Sequence, residues 1–86
     1  MTYSEALKEL KLHQDKMPSN VSLFIAAEGY EKELWAMTSE EDNSKSLKER
    51  GLIGNENLQV YATFKSGNTV YYPTLEYFFA IQNLKK

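Results

Sequence analysis

The chain contains no cysteine, one histidine, two prolines and four glycines. Without cysteine there is no disulfide, no redox pair, no thiolate zinc ligand and no thiol nucleophile, which is compatible with a reducing interior. The single histidine, His13, stands near the apolar stripe of the first helix with no partners in a metal-ligand pattern, and reads as a structural or solvent-facing residue. Asp15, two residues on, points elsewhere on a helix. No apolar run approaches the roughly 20 residues that span a bilayer. The polar start Met1-Thr2-Tyr3-Ser4-Glu5 lacks the basic and then apolar pattern of a signal peptide. We therefore expect a soluble, cytoplasmic protein with no membrane partner.

Other absences narrow the function. The ten Lys and Arg residues form no stripe, and phosphate-driven nucleic-acid binding needs clustered cations that release counterions. Ser66-Gly67-Asn68 and Gly51 to Gly54 do not follow a strand and open a helix with phosphate-cradle spacing, so both read as turns. Glu40-Glu41-Asp42, with Asn43 and Ser44, offers oxygens to a hard cation but lacks the calcium-loop spacing and its glycine. It reads as a solvated loop or as charge at the start of a short helix. Scattered glutamates define no general acid and base pair. The sequence thus assigns no catalytic residue, no metal site and no cofactor, and the expectation is a protein that is not an enzyme.

What is present is aromatic. Of eleven aromatic residues, seven fall between Asn57 and Lys86: Tyr61, Phe64, Tyr71, Tyr72, Tyr77, Phe78 and Phe79. Eighty-six residues make one small domain, residues 1–86, with room for one core. Ordering the chain costs on the order of 100 kcal/mol in conformational entropy, so nearly all apolar burial must be productive, which argues against a deep empty cavity in a monomer. The net charge of −2 is uneven. Residues 28–42 carry Glu28, Glu31, Glu33, Glu40, Glu41 and Asp42 against Lys32 alone, an acidic segment on a mildly basic background.

Thr2-x-x-Glu5 has the form of a capping box. Tyr3, Ala6, Leu7, Leu10 and Met17 continue it as an amphipathic stripe, which predicts a helix over about 3–16, ended by Pro18-Ser19-Asn20. Val21 to Ala27 is apolar and β-rich, with Val21, Leu23, Ile25 and Ala27 on one face. After a turn at Glu28-Gly29, Tyr30 to Thr38 reads as the returning strand of a hairpin. A polar connecting segment at about 39–57 holds one short helix, started by Ser46-Leu47-Lys48-Glu49 and stopped by Gly51. Leu58 to Lys65 alternates cleanly as a strand. A three-residue loop, Ser66-Gly67-Asn68, is expected to pair Phe64 with Val70 and Ala62 with Tyr72, and a two-residue Gly67-Asn68 loop shifts that register. Pro73 opens a last helix over about 74–84, whose stripe is Tyr77, Phe78, Ile81 and Leu84, with Lys85 and Lys86 at its C-terminal dipole. The fold class is α+β: a four-stranded antiparallel sheet from two hairpins, flanked by N- and C-terminal helices, in the order α-β-β-(short α)-β-β-α.

In that arrangement Leu23, Ile25, Leu34, Val60, Phe64 and Val70 face the core, and the opposite face collects Phe24, Trp35, Met37, Tyr61 and Tyr71. An open sheet face alternates to polar residues, and this one does not. Either a helix packs on each side, or a partner covers a Trp/Tyr/Met patch rimmed by Glu31 and Glu33. On the second reading the partner-binding residues are Trp35, Met37, Tyr61, Tyr71, Glu31 and Glu33, and a homodimer is the simplest assembly. The glutamates disfavour base stacking on this face. In composition the chain, Cys-free and rich in Lys, Asn and Glu, resembles small accessory proteins of bacteria and their phages, a resemblance that implies binding to another macromolecule. The expected function is a non-enzymatic interaction or regulatory protein. The alternative is a small-ligand, nucleotide-like binding or sensing module at a subunit interface.

Overall fold

The computed structural model describes residues 1–37 and 39–84, without the side chain of Leu84. The elements are α1 (Tyr3–Gln14), β1 (Ser22–Ala27), α2 (Glu31–Leu34), α3 (Glu40–Glu49), β2 (Leu58–Ser66), β3 (Thr69–Tyr71) and α4 (Leu75–Leu84). The architecture is α+β with helices at both ends and a three-stranded antiparallel sheet in the order β1-β2-β3. Among the described residues no helix is long and apolar enough to cross a membrane.

The first helix forms as its sequence dictates. Thr2 Oγ1 accepts from the Glu5 amide at 3.3 Å while the Glu5 carboxylate accepts from the Thr2 amide at 2.9 Å, a complete capping box. These Thr2 donors hold the Glu5 carboxyl below its usual pKa, the backbone N–H more than the hydroxyl. Ala6 is buried, and Tyr3, Leu7, Leu10 and Met17 pack on the core.

Among the described residues the expected first hairpin does not form. Glu31–Leu34 turns into a short helix, so the strand read over Tyr30–Thr38 is overturned and the sheet has three described strands in place of four; Thr38 itself lies outside the described residues. The physical reason is local. Gly29 takes φ +93° and ends β1, and the Glu31 carboxylate accepts from the Gly29 amide at 2.7 Å. Glu, Lys and Leu then favour helix over strand.

The connecting segment is more ordered than its composition suggests. Its helix starts at Ser39, seven residues before the expected Ser46. Ser39 Oγ accepts from the Asp42 amide at 3.1 Å, and Glu40, Glu41 and Asp42 occupy the first turn, where carboxylates complement the helix dipole. The expected stop is found. Gly51, at φ +70°, donates to Lys48 O and Leu52 donates to Leu47 O at 2.8 Å, a full Schellman motif closed by the buried pair Leu47 and Leu52.

The second hairpin exists in the other register. Phe64 pairs with Tyr71, Lys65 with Val70 and Ser66 with Thr69 across a two-residue Gly67-Asn68 loop. Gly67 adopts φ +64° and Asn68 does not have a positive φ, which is the pattern of a tight II′ turn with glycine first. That turn outweighs the apolar alignment that favours a three-residue loop.

Registers fix the faces. Ile25 opposes Val60 and Phe24 opposes Tyr61, so Leu23, Ile25, Leu58, Val60, Ala62, Phe64 and Tyr71 share the first face. Phe24, Ala26, Tyr61, Thr63, Lys65 and Val70 share the second. α1 and α4 lie on the first face, with Phe78 against Phe64 and with His13 edge-on to Phe79 where the two helices meet. α4 buries Phe78, as the expected stripe has it, but also buries Leu75 and leaves Tyr77 exposed, so Leu75 takes the place read for Tyr77. Lys85, Lys86 and the Leu84 side chain lie outside the described residues.

Candidate interaction surface

The part of the second face around Phe24, Ala26 and Tyr61 is covered from within. Thr63 Oγ1 donates to Trp35 O at 3.3 Å, and Glu31 and Glu28 both act on the Tyr61 phenol. The α2 segment therefore lies over Phe24 and Tyr61, which stack with ring centroids 5.5 Å apart. Tyr61 keeps 4% of its surface exposed, and every residue of β1 from Leu23 to Ala27 is buried. Over Phe24 and Tyr61 the covering is internal, while Trp35, Thr63 and Lys65 border a hollow open on the same face.

The six residues singled out as a surface thus separate. Trp35, Tyr61 and Glu31 come together on the second face, with Tyr61 beneath the others' segment. Glu33 pairs with Arg50 at 2.8 Å and ties α2 to the end of α3. Met37 reaches the other side, lining a crevice with Leu7, Leu10, Leu23 and Ile25. Tyr71 is on the first face, stacked on Phe64 at 5.4 Å and 45% exposed.

Burial, reinforced by the carboxylates of Glu31 and Glu28, pushes the Tyr61 phenol up to about 12. The native state therefore holds this proton more tightly than the unfolded chain, whose phenol titrates near 10. The stability it contributes is complete below about pH 10 and is lost as pH rises through about 12. In alkaline unfolding, Tyr61→Phe is expected to flatten the fall in stability across this window. Phenolate absorbance should lose one late-titrating group in the same variant. An unchanged slope and an unchanged titration would show that Tyr61 is not the group held neutral.

Asn43, weighed in the sequence only as an oxygen donor in an acidic loop, has a different role in the structure. Its Oδ1 accepts from the Ile25 amide at 2.7 Å and its Nδ2 donates to the Ile25 carbonyl at 2.9 Å. The side-chain amide of α3 thereby takes the place of a neighbouring strand at Ile25, and the burial of every residue from Leu23 to Ala27 keeps the outer edge of β1 from solvent.

The opposite edge is different. In an antiparallel pair, hydrogen-bonded and non-hydrogen-bonded positions alternate. Ser66 and Thr69 close the turn, and Ala62 donates to Pro73 O at 2.8 Å, so the bonded positions of the third strand are Thr69, Tyr71 and Pro73. The N–H and C=O groups of Val70 and Tyr72 point away from β2, and among the described residues no hydrogen bond meets them. No helix makes more than marginal contact with β3. Missing this edge followed from the hairpin register, which decides which residues face out.

Two concavities flank the sheet. One, of about 440 Å³, lies on the second face between Trp35, Thr63 and Lys65. The other, of about 410 Å³, lies between α1 and α4 over Val60, Leu75 and Phe79, with Glu9 and His13 on its wall. His13 Nε2 is 3.2 Å from the carboxylate of Glu9, one helical turn earlier, a pairing the sequence reading passed over. Among the described residues no group of three or more His, Asp or Glu side chains is placed to hold a metal ion. Comparisons with protein-family models, with curated proteins and with solved structures find no match.

Proposed function

We propose that this chain is a small non-enzymatic binding protein of the cytoplasm that engages a protein partner through strand addition at β3. The observation that carries this reading is the contrast between the sheet's two edges. The outer edge of β1 is buried from Leu23 to Ala27 and bonded to Asn43 at Ile25, whereas among the described residues Val70 and Tyr72 present unpaired backbone groups beside the exposed ring of Tyr71. Proteins ordinarily blunt such an edge, and strand addition uses one for affinity, with neighbouring side chains supplying selectivity. Tyr71 on one face and the Trp35–Lys65 hollow on the other supply such side chains. Trp35 and Glu31 keep a place in the binding surface on this reading; Tyr61 supports them from beneath.

A second reading is favoured by the groove between α1 and α4, whose volume falls in the range of small-ligand sites. Its apolar floor and the edge of Phe79 suit a flat ligand, and Glu9 on the wall disfavours a phosphate.

Val70→Pro separates the two. The Val70 N–H faces outward, so proline is tolerated there as on other edge strands, yet it removes a donor and obstructs an incoming strand. Native mass spectrometry of the wild type and of this variant, each isolated gently from the source cells, is the test. We expect the wild type to carry a protein mass, a second copy included, that grows with protein concentration and is lost from the variant. A small-molecule mass kept by both would transfer the function to the α1–α4 groove. A protein partner kept equally by both would overturn strand addition.

A further inference from the structure

We infer that the strand added at β3 is the β3 of a second copy, paired antiparallel about Tyr71 so that two three-stranded sheets become one of six strands. This rests on the reading of β3 as the binding edge and names its occupant. The outward positions are Val70 and Tyr72, two residues apart. A two-fold axis through Tyr71 places Val70 of each copy opposite Tyr72 of the other, and every outward N–H and C=O then gains a partner. The same axis puts the two Tyr71 residues opposite each other at a non-hydrogen-bonded position, where side chains are closest. Each Tyr71 already stacks on Phe64 of its own chain at 5.4 Å, so the aromatic row becomes Phe64, Tyr71, Tyr71, Phe64 along one face.

Charge favours a like partner. Residues 69–74, Thr69-Val70-Tyr71-Tyr72-Pro73-Thr74, carry no ionisable acid or base beyond the two phenols, so two copies meet without repulsion, and nothing on the edge selects an acidic or basic peptide. The turn at Gly67-Asn68 and the start of α4 bound the edge on either side, which limits the pairing to a short segment of matching length. That shortness sets the strength. So few residues bury well under the roughly 1,200 Å² of a stable complex, so the dimer is expected to be weak, formed at micromolar to millimolar concentration.

Analytical ultracentrifugation from micromolar to millimolar protein, with single-cysteine cross-linking, tests this. The chain has no cysteine of its own, so each introduced thiol reports alone. In this register the two Cα atoms at position 71 lie about 4.5 Å apart, within disulfide reach. Those at position 69 lie roughly 13 Å apart, beyond it. We expect concentration-dependent dimerisation, weakened about tenfold or more by Val70→Pro. Under a mild copper oxidant, Tyr71→Cys should give a covalent dimer and Thr69→Cys should not. Tyr71→Glu, at a position 45% exposed, should also abolish dimerisation by placing like charges face to face while circular dichroism shows the monomer still folded. Equal cross-linking at both positions, or a monomer up to millimolar concentration, would overturn the self-pairing. If the wild type is monomeric but Val70→Pro still strips a different protein partner, self-pairing falls while the binding edge stands. If Val70→Pro changes neither, both fall.

Discussion

Replacing Asn43 by alanine is expected to cost about 2–4 kcal/mol, because it strands a backbone donor and a backbone acceptor of Ile25 at once. Both bonds are short, at 2.7 and 2.9 Å, and Asn43 is 4% exposed, so water does not readily replace the lost amide. A domain of this length has a total stability of roughly 4–13 kcal/mol, so the loss is a large part of it. The melting temperature should fall by about 10–25 °C. Asn43→Asp sharpens the test. An ionised carboxylate still accepts from the Ile25 amide but sets an oxygen against the Ile25 carbonyl, whereas the protonated acid restores a donor. Burial also raises the carboxyl's pKa in the folded state, so the variant should regain stability as pH falls and lose it as pH rises through that folded value. Thermal unfolding of both variants across pH is the measurement. A loss below about 0.5 kcal/mol for Asn43→Ala would show that the edge of β1 needs no cover.

The same residue shows what the sequence could and could not yield. Asn43, Ser46 and Leu47 are all buried and stand three and four positions apart, one face of a helix. Reading that face required starting the helix at Ser39, and a run of six polar residues from Ser39 to Ser44 hides the start from any search for apolar periodicity. The elements that were legible are those whose signal is local: the capping box at Thr2 and Glu5, the alternation from Leu58 to Lys65, the stop at Gly51. The errors came where two local signals compete. From Tyr30 to Met37, period-two alternation and helix-forming residues coexist, and the helix prevails because Gly29 and Glu31 form a turn that starts it. At Gly67-Asn68, the turn that glycine permits outweighed the face alignment, and that one-residue difference moved Tyr71 to the other side of the sheet. The candidate surface suffered most, since which groups of β3 point outward depends entirely on that register.

Leu34→Ala tests whether α2 covers the aromatic second face, and its expected cost is about 2–5 kcal/mol. Four residues cannot hold a helix by themselves, and α2 has no side-chain cap at Tyr30. What secures it is tertiary. Leu34 is fully buried, the Trp35 carbonyl is bonded to Thr63, and Glu33 is paired with Arg50. The ion pair is half-exposed and worth about 0–1 kcal/mol, so Leu34 is the main anchor. Truncating it leaves a cavity and loosens the cover over Phe24 and Tyr61. The second consequence is the more telling one. A loosened cover lets water reach the Tyr61 phenol, whose pKa should drop from about 12 back toward the ordinary value. Glu33→Ala, which removes the ion pair alone, should leave both stability and the phenol nearly unchanged. Denaturant unfolding and phenolate titration of the two variants measure both effects. A large loss of stability with the Tyr61 titration unmoved would mean that Leu34 fills the core without covering the ring, and the internal closure of that face would have to be assigned to Trp35 instead.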